Sequence, residues 1–262
     1  MKTALLQSNL IWENPAENRQ IFEQKINAIS ETVDLIVLPE MFTSGFTMNP
    51  QLVAETMTGE TIALLKSLAK AQNCAITGSL VIAENNNFYN RMVFVFPDQT
   101  IEYYDKKHLF TLAGEDKVYT AGTEKKIVNF RGFKICLQVC YDLRFPAFAR
   151  NQENYDVLIY VANWPQTRIN AWNILLKARA VENMCYVIGV NRIGVDGNNQ
   201  TYSGDSQVID YLGDNLVEPQ SSEGIFYADL DKDIMLATRN QLPFLDNMDS
   251  FTLNSFTRFK KV

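Results

Sequence analysis

Three residues of this chain stand at the ends of apolar or β-prone runs and between them carry a thiol, a carboxylate and an ammonium group. Cys140 ends the run that begins ICLQVCYDLRFP (135–146), Glu40 closes DLIVLPE, and Lys106 closes TIEYYDK. These residue types can perform acyl transfer: a thiol attacks an acyl carbon, a base takes its proton, and a nearby cation or N–H donor holds the developing oxyanion. A lone cysteine in an apolar strand is more often inert packing, and Cys136 in the same run is read that way. The company of Glu40 and Lys106 makes Cys140 the candidate nucleophile. A carboxyl near pKa ~4.3 is a poor base for a thiol near ~8.5, so the folded site must bring the two values together by burial, by the lysine charge, or by both.

Hydrophobic period indicates the elements that must position these groups. Ile135, Leu137 and Val139 alternate with Cys136 and Gln138, which predicts a strand buried on both faces with Cys140 at its C-terminal edge. Pro146 and the residues after it predict a helix beginning within a few positions, and strand, tight turn and helix together lift a nucleophile out of a sheet. Before this, strands are expected over 2–10, 33–38, 74–83, 88–96 and 101–105, with helices over 15–31 and 61–72; Pro39 stops the second strand and leaves Glu40 at its mouth. Residues 109–122 read as a loop beside the site. Beyond it come strands over 127–130, 133–139, 157–162, 185–190, 207–211 and 224–230, and helices over 169–183 and 231–239. This alternation without a linker predicts one domain over 1–262, an α/β fold in which two sheets are sandwiched by helices in α-β-β-α layers. Residues 240–262 are expected to form a polar C-terminal tail crossing the surface or a partner subunit.

LPEMF with Glu40, YDKKHLF with Lys106 and VCYDLRFP with Cys140 occur in the order and approximate spacing of the nitrilase superfamily, the carbon–nitrogen hydrolases with a Glu-Lys-Cys triad. The chain resembles that family from KTALLQSNLIWENPAENR (2–19) to the strand near Val208, with ARAVEN (178–183) and YSGDSQVID (202–210) as later landmarks. ANWPQTRINAWNILLKARAVEN together with CYDLRFP is similar to the omega-amidase branch, whose members hydrolyse the terminal amide of 2-oxoglutaramate and related omega-amides of dicarboxylic acids. The resemblance implies the four-layer α-β-β-α sandwich and a homodimer or higher homo-oligomer joined through its helical layers. It makes Glu40 the general base and later acid, and Lys106 the cation that shares the oxyanion with the Tyr141 backbone N–H. The pattern Lys-x-His-Leu-Phe selects Lys106 over Lys107 and sets His108 outside the triad. Glu115, in LAGED beside Asp116, is the candidate second glutamate. Trp164 is a candidate pocket wall, and Arg144 with Asp142 either braces the turn as an ion pair or meets substrate. Arg144, Arg168 and Arg192 are candidate partners for a substrate carboxylate, with Arg168 preferred because it follows Asn163-Trp164-Pro165.

A formal net charge of -6 and the absence of any basic cluster beyond paired lysines argue against nucleic-acid binding. No run approaches the ~18–20 apolar residues of a membrane span. Gln7 and Asn9 interrupt the first apolar stretch, so a cytoplasmic protein is expected. Four cysteines in apolar surroundings read as reduced thiols, and a single histidine gives no zinc pattern, so neither metal nor other cofactor is expected. The expected partner is a small omega-amide substrate, cleaved with release of ammonia through a cysteine thioester. The alternatives are another amidase, a nitrilase (disfavoured because Tyr141-Asp142 stands where Trp-Glu follows the cysteine in those enzymes), a binding protein without turnover, and a thiol redox protein, which lacks its Cys-x-x-Cys pair.

Overall fold

Strand β1 (Lys2–Gln7) opens the chain, followed by helix α1 (Pro15–Asn27), β2 (Leu35–Val37), the short helix α2 (Pro50–Val53), α3 (Glu60–Gln72), β3 (Ala75–Glu84), β4 (Asn87–Val95) and β5 (Ile101–Asp105). The second half runs β6 (Lys126–Phe130), β7 (Phe133–Val139), α4 (Pro146–Ala149), β8 (Val157–Ala162), α5 (Ile169–Asn183) and β9 (Tyr186–Asn191). It ends with β10 (Ile193–Val195), β11 (Thr201–Ser203), β12 (Gln207–Ile209), β13 (Asn215–Val217), β14 (Gly224–Asp229) and α6 (Lys232–Gln241). This computed structural model describes residues 1–253; the last part of the expected tail, 254–262, lies outside the described residues.

Two six-stranded sheets result, ordered β14-β1-β2-β3-β4-β5 and β13-β12-β9-β8-β7-β6. In the first, β1, β2 and β3 are parallel and the flanking strands antiparallel. The second repeats that pattern with β7, β8 and β9 as its parallel centre. No repeat is readable in the sequence, so this likeness lives in the backbone alone.

Period-two alternation decides which layer each side chain joins. Leu35 and Val37 of β2 point between the sheets with Leu5, Met92 and Phe94, facing Ile135, Leu137, Val139, Ile159 and Ile188 of the second sheet. Ile36 and Leu38 point the other way, onto Phe22 and Ile26 of α1 and Ile62, Leu65 and Ala69 of α3. On the far side, Cys136, Leu158 and Tyr160 pack under Trp172, Leu176 and Ala180 of α5. The four layers are therefore α-β-β-α.

Several expected elements are shorter or absent. Helix α1 stops at Asn27 and not near residue 31, since after Ile26 the segment offers no fully buried side chain until Val33. The helix expected to begin near Pro146 does begin there, after a 3-10 turn over Cys140–Arg144, but α4 is only four residues long. Asn151 explains the stop: its side chain accepts from Tyr155 N–H at 2.7 Å and donates to Tyr155 C=O at 2.9 Å, taking over bonds a helix would have made. Residues 109–122 hold two 3-10 turns, Thr111–Ala113 and Glu115–Lys117, joined at Gly114 with φ 79°. The hairpin of β10 and β11, and β13, went unpredicted because each strand has only three residues. In the expected tail, α6 continues to Gln241 and a 3-10 turn covers Phe244–Asn247.

Candidate active site

Cys140 follows β7 with φ 45°, in the left-handed region where a side chain with a Cβ stays only if its surroundings hold it. Asp142 does much of the holding. Its buried carboxylate accepts from Val139 N–H at 3.0 Å, from the Tyr104 hydroxyl at 2.8 Å and from His108 N–H at 3.0 Å, and it lies 2.7 Å from His108 Nδ1. The His108 ring stacks on Phe145 at 3.8 Å between centroids. The turn of the second sheet is thus fastened to the chain leaving β5 of the first. Of the two readings of Arg144, the ion pair with Asp142 does not form, because these donors occupy Asp142; the Arg144 guanidinium lies over the Trp164 ring, 4.9 Å from its centroid, in the wall of the cavity.

Lys106 leaves the end of β5 and points inward, while Lys107 turns away to donate to Thr123 C=O at 2.9 Å. The buried Lys106 Nζ lies 3.0 Å from Glu40 Oε1 and 3.0 Å from each oxygen of Glu115. Glu40 and Glu115 are both fully buried. Glu40 Oε1 also accepts from Asn90 Nδ2 at 2.8 Å, and Oε2 accepts from Asn163 N–H at 2.8 Å. Asn163 closes a second clamp by donating from Nδ2 to the Glu40 carbonyl at 2.6 Å. Glu115 accepts from Phe110 N–H at 2.5 Å, which anchors the loop after β5. The structure therefore brings Glu40, Lys106, Glu115 and Cys140 together at the C-terminal ends of strands from both sheets.

The electrostatics follow from burial. Burial pushes the Cys140 thiol well above the ordinary thiol value; the negative charge of Glu40 adds to this and Lys106 only partly opposes it. Burial acts to lower the Lys106 ammonium, but Glu115 and Glu40 outweigh it and hold the value above the usual lysine range. Glu115 is raised by burial against the pull of Lys106. A lysine satisfied by two carboxylates has little charge to spare for the sulfur. With burial disfavouring the thiolate, such a site acts as a nucleophile most readily if a base removes the proton as the bond forms.

Cys140 is half-buried and opens on a cavity of about 440 Å³ that is also lined by Lys106, Tyr141, Asn163, Trp164, Arg144 and Arg168. Phe46, Phe110 and Tyr202 add aromatic wall, and Asp196 an acid. Arg168 rests on the Phe110 face, 5.3 Å from its centroid, and Trp164 donates to the Arg168 carbonyl at 2.8 Å. Arg192, the third candidate for a substrate carboxylate, is placed elsewhere. It is buried, and its Nε and Nη2 donate to the Ile193 carbonyl and to Asn9 Oδ1 and the carbonyls of Leu10 and Val195, while Nη1 has no hydrogen-bond partner among the described residues. Sequence reading missed Asn90 and gave Asn163 no role. The available signal for Asn90 was a polar side chain inside the otherwise apolar register of β4. Among the described residues no group of three or more His, Cys, Asp or Glu side chains is placed to hold a metal ion.

The pattern of the carbon–nitrogen hydrolases matches residues 2–240. The omega-amidase YafV of Yersinia enterocolitica is 43% identical to this chain over 259 residues, covering 97% of this chain and 98% of that protein. A 2-oxoglutaramate amidase of Bacillus subtilis (strain 168) is 34% identical over 248 residues, with 93% and 95% covered. A solved structure from Xanthomonas campestris, a CN-hydrolase superfamily protein with an arsenic adduct in its active site, is similar at a TM-score of 0.94 and 40% identity, over 97% of this chain and 99% of that one.

Proposed function

This chain belongs to the carbon–nitrogen hydrolase family, and from that premise we propose that it is an omega-amidase, cleaving the terminal amide of omega-amido dicarboxylates such as 2-oxoglutaramate or succinamate and releasing ammonia. The observation that carries the reading is the convergence of Glu40 and Lys106 on the half-buried Cys140 beside a cavity with arginines in its wall. Relatives named for these activities, alike over nearly their whole length, support the substrate class.

In the proposed cycle the Glu40 carboxylate takes the Cys140 proton as Sγ bonds to the amide carbon. The carbonyl oxygen becomes an oxyanion facing Lys106 Nζ and the Tyr141 N–H, which sits in the first turn of the 3-10 helix where backbone donors lack helical acceptors. Glu115 engages Lys106 through both oxygens, so the ammonium stays anchored while one hydrogen turns to the oxyanion. Glu40 returns the proton to the amide nitrogen, the C–N bond breaks and ammonia leaves a thioester on Cys140. Water then gives a proton to Glu40 and attacks the thioester, the C–S bond breaks, and the thiol is reprotonated. The distal substrate carboxylate needs a cation to offset its desolvation, and Arg168 in the cavity wall supplies it.

The test is ammonia release from 2-oxoglutaramate, succinamate and a short panel of other omega-amides, before and after alkylation of the purified protein. We expect release that stops when Cys140 alone is alkylated, as located by peptide mass. A folded, unalkylated protein that releases no ammonia from any of the panel overturns the reading.

A further inference from the structure

We propose that Asn90 is a positioning residue for the Cys140–Glu40 pair, its side-chain amide forking between the two buried glutamates and fixing which Glu40 oxygen receives the thiol proton. The inference rests on the covalent reading of the site given above.

Asn90 lies on β4 and is 1% exposed. Its Nδ2 donates to Glu40 Oε1 at 2.8 Å and to Glu115 Oε1 at 3.3 Å. Its Oδ1 accepts from Ser79 Oγ at 2.8 Å, and Ser79 Oγ in turn accepts from Met41 N–H at 2.9 Å. A backbone N–H can only donate, so Ser79 must use its own hydrogen on Asn90 Oδ1, and the NH₂ end of the amide is forced toward the carboxylates. The relay starts at the residue after Glu40, where Met41 is held at φ 43°. Backbone position and amide orientation are thereby linked.

Each carboxylate oxygen has about two lone pairs. Glu40 Oε1 spends both, on Asn90 and Lys106, whereas Oε2 has one donor, Asn163 N–H. The lone pair left on Oε2 is the one available to the Cys140 hydrogen. Without Asn90, Oε1 of Glu40 keeps only Lys106 and Oε2 only the Asn163 N–H, so the carboxylate is held less firmly in the orientation that meets the sulfur. The charged and titratable groups facing this pair are Lys106, Glu115, Cys140 and Tyr119.

The experiment uses the full chain as Asn90→Ala, Asn90→Asp and Ser79→Ala. Succinamate hydrolysis is followed against pH, and Cys140 alkylation by iodoacetamide is followed against pH by intact mass. We expect Asn90→Ala to lower kcat by about a hundredfold with KM within about threefold of wild type, as for loss of a group acting on the transition state. Cys140 alkylation below pH ~8 should slow in parallel, and the acid limb of the rate profile should move upward. Asn90→Asp, which exchanges the NH₂ for an oxygen and adds a third carboxyl to the cluster, should move that limb further. Ser79→Ala, which frees the amide to flip, should give a smaller change in the same direction, and it decides the matter if neither Asn90 variant folds. Folded variants with the wild-type pH profile and alkylation rate overturn the proposal, as does a loss confined to KM or to melting temperature. Failure of the omega-amidase reading is seen separately, as wild-type protein that releases no ammonia while its Cys140 alkylation still depends on Asn90.

Discussion

Cys136 and Cys140 come from one apolar run, yet the first is sealed under α5 and the second opens on the cavity. Cys140→Ala should abolish ammonia release while the melting temperature stays within a few degrees. Cys136→Ala should keep most activity and lose ~1 kcal/mol or more to the small void it leaves. Near wild-type turnover by Cys140→Ala would rule out a thioester. For the adjacent lysines, Lys106→Ala should cost ~10²–10³ in kcat. It should also destabilise by ~3–5 kcal/mol, because Glu40 and Glu115 would be left buried without their cation. Lys107→Ala removes only a bond to the Thr123 carbonyl and should change little; the reverse ranking in steady-state kinetics would put the wrong lysine in the site. Arg168→Ala should raise KM for 2-oxoglutaramate far more than for a neutral amide of similar length, and equal effects would leave the carboxylate partner unassigned. Glu40, Lys106 and Cys140 were readable at this scale because each ends a run of apolar or β-prone residues. Asn90 and Asn163 were not, since they meet Glu40 from 50 and 123 positions away; the polar break that Asn90 makes in the register of β4 marks the residue but not its partner.

The elements were legible where they were long and periodic and illegible where tertiary contacts set their ends. Strands β3, β4, β7 and β8 bury alternating or continuous apolar residues and fell within a residue or two of expectation. The chain after Cys140 looked helical by composition, but Asn151 binds backbone groups that a helix would have needed. Strand β3 shows how an element aims Glu40. At Gly78 an added Cβ would lie 2.8 Å from Leu38 Cβ and 3.2 Å from Phe42 Cδ1, on either side of Glu40 in sequence. Gly78→Ala should therefore push the 38–42 segment outward, costing ~1–3 kcal/mol in stability. It should also lower kcat by ~10-fold or more, since small displacements of a reacting pair are expensive. Wild-type kcat in a folded Gly78→Ala protein would show that the segment has slack.

At the scale of the whole molecule, burial raises all four thiols: Cys74 and Cys136 are pushed up to about 12, and Cys140 and Cys185 also lie well above the ordinary value. Below the unfolded thiol value of ~8.5 both states keep these protons and the contribution to stability is whole. Above it the unfolded chain releases protons that the fold retains, so stability falls by ~1.4 kcal/mol per pH unit for each thiol until the folded groups titrate. The melting temperature should fall steeply from about pH 9 to about pH 11, and less steeply in Cys136→Ala, measured by calorimetry; equal slopes would remove Cys136 from the effect. The division of the site between sheets has a further consequence, for how the protein comes into being. Glu40, Lys106, Glu115 and Asn90 belong to the first sheet and its loops, Cys140 and Asn163 to the second. A chain emerging from the ribosome exposes Glu40 and Lys106 well before Cys140 arrives. The site is assembled only when the two sheets dock, so under the proposed mechanism recovered activity in refolding should trail recovered backbone signal and mark the final closure of the core.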